Sequence, residues 1–141
     1  MSEKEKFLFY FVLLNFLIMK KRILHVERHD NNYLLLKLNL RGLDVQLIHA
    51  ESIEEAERLL QDESFDLIIS NTIEIPGELL IQNLRAGVYG KLNRKVPAIA
   101  YTVASFKDEK EACLAAGFND HISLPDFRQE INQKIKEIFG W

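Results

Sequence analysis

The stretch Phe65-Asp66-Leu67-Ile68-Ile69-Ser70-Asn71-Thr72-Ile73-Glu74-Ile75-Pro76-Gly77 decides the fold. It is a short apolar run that ends in an amide and a Pro-Gly turn, the pattern of a central strand in a parallel sheet buried on both faces. In open α/β sheets the ligand site lies at the carboxyl ends of the strands. The side chain at Asn71 therefore governs what the site can do, and an amide cannot serve as the carboxylate nucleophile of an acyl-phosphate reaction.

Working outward from it, strand and helix patterns alternate without a linker from Arg22 onward. Arg22–Glu27 is a first strand, and Asp30-Asn31-Asn32 supplies a helix N-cap ahead of the leucines of 33–40. Asp44–His49 alternates as an edge strand does, and Ser52-Ile53-Glu54-Glu55 resembles a capping box opening a helix through Leu60. Leu67–Ser70 is the third strand, Gly77–Leu92 a mostly helical stretch, and Ala98–Tyr101 the fourth strand. Lys107–Ala116 is a helix with Gly117 at its C-cap. A fifth strand at Asp120–Ser123 and a last amphipathic helix at Phe127–Phe139 complete the series. Five strand–helix alternations predict a doubly wound α/β sheet with helices on both faces and strand order 2-1-3-4-5. That order brings Glu27-Arg28, Asn71 and Thr102 around one crevice.

The chain has 141 residues, 48% of them hydrophobic and 28% charged, as suits one globular domain. Its net charge of −3 offers no basic footprint for nucleic acid. A lone Cys113 excludes an internal disulfide and a CxxC metal site. The sequence holds no Gly-rich phosphate loop, no His pair at metal spacing and no nucleophile–base motif, so an enzyme is not expected.

One segment stands outside this scheme. Phe7–Met19 is apolar except for Asn15 and runs into Lys20-Lys21-Arg22. A helix of that run would be about 20 Å long, short of the roughly 30 Å hydrocarbon core. The basic residues follow the run instead of preceding it, unlike a signal peptide. The readings left are an element packed on the domain or a partner, a peripheral anchor, or an extension ahead of a domain that begins near Met19. Residues 1–19 are read as an extension of a 20–141 domain, with membrane contact the less favoured alternative.

Four motifs carry a family resemblance: ILHVERHD, FDLIISN followed by Pro76-Gly77, PAIAYT and CLAAGFNDHISLP. Over about Lys20–Phe139 the chain resembles the receiver domain of bacterial two-component response regulators, which implies a flavodoxin-like five-stranded fold. The resemblance also implies a phosphoacceptor pocket, and here the chain departs from the family's pattern. Family members hold a divalent cation between an acid pair and the acceptor Asp. At those positions stand Glu27, Arg28 and Asn71, so one acid of three remains, and the family's Lys is replaced by Leu124. Thr102 is retained in type, and His121 occupies the place of a switching aromatic residue. One extra residue before Pro76 leaves Thr72 as an alternative at the acceptor position.

These departures agree physically. Mg²⁺ prefers carboxylate oxygens, and a buried Lys without a partner would be costly. Arg28 is expected to pair with Glu27 and Glu74 in place of a metal. Glu27 with Glu74 holding a cation weakly is the less favoured reading. Asn71 is taken as a structural amide, His25 and Cys113 as core residues, His121 as a partly exposed histidine and Asp108-Glu109-Lys110-Glu111 as a solvated helix face. No metal or cofactor is expected. The predicted function is a cytoplasmic, phosphorylation-independent pseudo-receiver, with a divergent working phosphorelay receiver as the alternative. Its protein partner would be a histidine kinase, an output protein or a second copy. Docking would use residues 107–139, with Phe127, Ile131, Ile135 and Phe139 as candidate anchors. No output domain is expected after Trp141, so a signal would be expected to pass by contact.

Overall fold

The computed structural model describes residues 1–102 and 107–141. A helix α1 (Glu3–Met19) precedes five strand–helix units: β1 (Lys21–Val26), α2 (Asp30–Asn39), β2 (Val45–Ala50), α3 (Ile53–Asp62), β3 (Leu67–Asn71), α4 (Gly77–Arg85), β4 (Ala98–Thr102), α5 (Lys107–Ala116), β5 (Asp120–Ser123) and α6 (Leu124–Phe139). All strand pairs are parallel, in the order β2-β1-β3-β4-β5. This is the flavodoxin-like, doubly wound sheet that the alternation predicts.

Strand alternation divides the core into two layers. Leu24, Val26, Ile68, Ala98 and Ala100 pack against α3, α4 and Cys113 of α5. Ile23, Leu67, Ile69, Ile99 and Tyr101 face α2 and α6 on the other side. Every residue of β3 and β4 is buried, and β2 at the edge is only partly so. His25 and Cys113 lie in the interior as expected, and burial beside Glu78 pushes the Cys113 thiol up to about 11.

Several boundaries differ from the sequence reading. Helix α2 starts at Asp30, with His29 at its N-cap and no side-chain capping bond, so the Asp30-Asn31-Asn32 cap does not form. Asn32 is committed elsewhere. Ser52 does cap α3, accepting from the Glu55 N–H at 3.2 Å, but the Glu55 carboxylate returns to the Glu51 N–H rather than to Ser52. The stretch after Gly77 is helical only to Arg85; Gly87, at φ +82°, turns the chain out of the helix. Of the four anchors proposed for the docking face, Phe127, Ile131 and Ile135 are buried against the sheet, so they hold α6 in place and cannot meet a partner.

Helix α1 is four residues longer at its start than the apolar run, and Ser2 caps it. Phe7 through Phe16 are exposed, so this part does not pack on the domain. Asn15, its one polar residue in that run, donates to the Phe11 carbonyl at 2.9 Å. Among the described residues no helix is long and apolar enough to cross a membrane.

Candidate functional site

The crevice forms at the carboxyl ends of β1, β3 and β4. Parallel register sets Val26 beside Ser70 and Asn71 beside Tyr101, so the next residue after β1, Glu27, meets Asn71 across the strand ends. Glu27 is fully buried and Asn71 nearly so. The Asn71 Nδ2–H donates to Glu27 Oε2 at 2.7 Å, and Asn71 Oδ1 accepts from the Ile73 N–H at 2.7 Å. The amide orientation is fixed by chemistry. A carboxylate only accepts and a backbone N–H only donates, so both bonds form in one orientation alone. Asn32 from α2 donates to the other carboxylate oxygen, Oε1. The single acid thus spends both oxygens on two neutral amides.

The close of β3 is tight as well. A Cβ on Gly77 would stand 2.8 Å from Ser70 Oγ and 2.9 Å from the Asn71 carbonyl oxygen. Glycine is required where the loop folds back on the strand end. Thr72 directs its hydroxyl to the Tyr101 carbonyl at 3.4 Å, whereas Asn71 is the residue that meets Glu27.

Arg28 departs from the expectation. It is exposed and makes no ion pair with Glu27 or Glu74 among the described residues. Glu74 instead meets His29 Nε2 at 2.7 Å. Glu27 turns inward at the end of β1, and its neighbour faces the opposite way, into a shallow surface depression with Glu51, Glu54, Glu74 and Pro76. Among the described residues no basic side chain pairs with Glu27; its carboxylate accepts from the amides of Asn71 and Asn32.

Below Glu27, the fully lined interior adds a second layer. His25 Nε2 and the Tyr101 hydroxyl lie 2.8 Å apart, while His25 Nδ1 is buried without a partner. Burial, with His49 nearby, holds the His25 pKa down at about 3, so it is neutral at physiological pH. Burial, then the Glu27 carboxylate, pushes the Tyr101 hydroxyl well above its usual range. Leu124, half-buried, lies over the same layer with Phe127 and borders a cavity of about 170 Å³ that also touches His25 and Tyr101.

The other flank of the crevice keeps polar chemistry. Thr102 Oγ1 donates to Glu109 Oε2 at 3.1 Å, and lies 2.8 Å from His121 Nε2. Since the hydroxyl proton goes to the carboxylate, the imidazole Nε2–H donates to Thr102. Contrary to the expectation, His121 is buried, and burial lowers its pKa, partly offset by Glu109. Glu109 likewise leaves the solvated face assigned to it and turns inward to Thr102. Sequence reasoning missed Asn32, Tyr101 and Glu109; only the placement of Asn32 five residues beyond Glu27, on the first turn of a helix, offered a signal.

The topology and the site together define a doubly wound domain with its crevice at the strand ends. No protein-family profile matches the chain. It is 30% identical over 122 residues to the virulence sensor protein BvgS of Bordetella pertussis, covering 82% of this chain and 10% of that protein. It is 24% identical over 122 residues to the sensor protein GacS of Pseudomonas syringae, covering 84% of this chain and 13% of that protein. The chain thus spans about a tenth of the length of the curated relatives it matches. Among solved structures, the receiver domain of a sensor histidine kinase from Pseudomonas aeruginosa superposes with a TM-score of 0.73 at 26% identity, over 86% of this chain and 99% of that one. A putative response regulator from Chloroflexus aurantiacus gives 0.76 at 27% identity, over 86% and 99%. The chain is a response-regulator receiver domain of the two-component type. The Pseudomonas aeruginosa domain carries a magnesium ion in its active-site cleft.

Proposed function

We propose that this receiver works without phosphorylation, as a protein-interaction module of a two-component pathway. The supporting observation is the Asn71 amide donating to Glu27 at 2.7 Å with its own oxygen taken by Ile73. In this arrangement the acceptor position offers no carboxylate nucleophile, and both oxygens of the remaining acid already accept an amide proton. Leu124, at the place of the family's Lys, adds packing where a charge would have had nothing to balance. The domain is cytoplasmic and non-enzymatic, comprises residues 20–141, and residues 1–19 form an extension to it. Its partner is a histidine kinase, an output protein or another copy, met through the 107–139 face. Within that face Leu114 offers exposed apolar surface, as does Trp141 just beyond it.

A second reading, a divergent phosphorelay receiver, draws on the retained Thr102 and on the likeness to sensor proteins. The two differ in what a partner senses. With a partner captured from the native host, its affinity is expected to be the same with and without acetyl phosphate and Mg²⁺. An affinity that changes with the phosphodonor overturns the phosphorylation-independent reading.

A further inference from the structure

Just outside the crevice, β2 and the start of α2 bring together three groups that the receiver chemistry does not use. His49 Nε2 lies 2.6 Å from the Glu27 backbone oxygen. A carbonyl only accepts, so Nε2 carries the proton and Nδ1 presents a lone pair. That lone pair stands 3.9 Å from Asp30 Oδ1, too far for a hydrogen bond. Nδ1 and one carboxylate oxygen each from Asp30 and Glu51 lie within 4.8 Å of one another. With the ring neutral, three acceptors converge here, an arrangement that a bound cation would satisfy.

We propose that Asp30, His49 and Glu51 form a binding site for a divalent transition metal of the Zn²⁺ class on the rim of the crevice. The donor set selects the metal: imidazole suits Zn²⁺ and its neighbours, whereas Mg²⁺ prefers an all-oxygen shell. The imidazole is the fixed ligand. It is half-buried, stacked on Tyr33 at 4.3 Å with rings 5° apart, and held by a backbone carbonyl on its far nitrogen. Metal-ligating histidines are oriented in this way, with the second nitrogen bonded to a carbonyl or carboxylate. Asp30 and Glu51 are exposed and free to close the remaining distance. Two protein oxygens and one nitrogen leave a coordination position for water or a partner's side chain. Occupancy reaches the crevice directly, because the same imidazole holds the carbonyl of Glu27.

The sequence conceals this set, since its members are 19 and 2 residues apart on different elements. The site is independent of whether the crevice is phosphorylated. The test is titration of the full chain with ZnCl₂, followed by calorimetry and by the ¹⁵N resonances of the histidine rings. One saturable equivalent is expected, with the shift at His49 Nδ1 and not Nε2. Asp30→Asn and Glu51→Gln should each weaken binding at least tenfold, and His49→Phe, which keeps a ring on Tyr33, should abolish it. Absence of saturable binding, a resonance shift at another histidine, or undiminished affinity in the Asp30→Asn/Glu51→Gln double variant overturns the proposal.

Discussion

The two flanks of the crevice each hold one glutamate and have opposite characters. On one, Glu27 lies between the amides of Asn71 and Asn32, each donating to one carboxylate oxygen, and Asn71 Oδ1 accepts from the Ile73 N–H. On the other, Thr102 passes a hydrogen bond between His121 and Glu109, two groups able to change charge. The first flank holds one carboxylate between neutral amides. The second keeps a titratable chain that links β4, β5 and α5. On the proposed reading, the acceptor half of the site is replaced while the half around Thr102 stays connected.

The largest effect should come from undoing the replacement. Asn71→Asp removes the donor to Glu27 and sets two carboxylates within hydrogen-bonding distance in a buried crevice. Like charges there cannot both ionise without cost. A loss of about 3 kcal/mol is expected, in the range for an uncompensated buried charge, with part recovered by millimolar Mg²⁺ bound to the folded state. Chemical denaturation with and without Mg²⁺ measures both. A variant as stable as the parent would mean that the two flanks do not differ as described.

Next in size is a pH effect beneath the Glu27 flank. The folded pKa of His25 is about 3, against 6.5 for the free side chain. Between these values the unfolded chain binds more protons, so stability from this residue is complete above pH 6.5 and declines as pH falls toward 3. At pH 5 the loss is about 2 kcal/mol relative to neutral pH. His25→Phe should flatten the stability profile between pH 7 and 5 relative to the parent. Equal slopes for the two proteins would show that His25 is not buried neutral.

Thr102→Val tests the other flank. It leaves the His121 Nε2–H and the Glu109 carboxylate without the hydroxyl between them, and a loss of about 1 kcal/mol is expected. The His121 ring should also titrate differently in NMR, since its hydrogen-bond partner is gone. An unchanged His121 titration would remove Thr102 from the chain of contacts.

Much of this was legible in the sequence. Period-two and helical patterns in the region after Lys20 place all five strands, because each buries a continuous or alternating apolar set whose spacing is a local property. The substitutions at Asn71, Arg28 and Leu124 are likewise visible as residue types. Their pairings were not. Charge alone suggests Arg28 as the partner of Glu27, whereas the strand end turns Glu27 inward and Arg28 outward, and the amides of Asn71 on β3 and Asn32 on the next helix bond the carboxylate. Asn32 reads as a cap until the fold brings it to Glu27. Glu109 sits in a charge run that looks solvated, and one residue of that run faces in. Which long-range partner satisfies a buried polar group is a property of the packed structure, and neighbouring residues carry little trace of it.

Helix α1 extends the comparison to an apolar stretch that stays off the domain. Its residues from Phe7 to Phe16 are as apolar as β3 and remain exposed. Because they cover nothing in the domain, a chain starting at Met19 should keep its stability within about 0.5 kcal/mol, as for surface changes in general. It should also associate less, since contiguous exposed apolar surface promotes association. Thermal unfolding and solution mass of the two chains decide the point; a shortened chain that unfolds would give α1 a structural role.

Asn71 is proposed not to accept a phosphoryl group. Intact-mass spectrometry after incubation with acetyl phosphate and Mg²⁺ addresses that most directly. An unchanged mass is predicted, because Asn71 offers no carboxylate and Glu27 has none to spare. Stable addition of one phosphoryl group, mapped to a residue of the crevice, would contradict it.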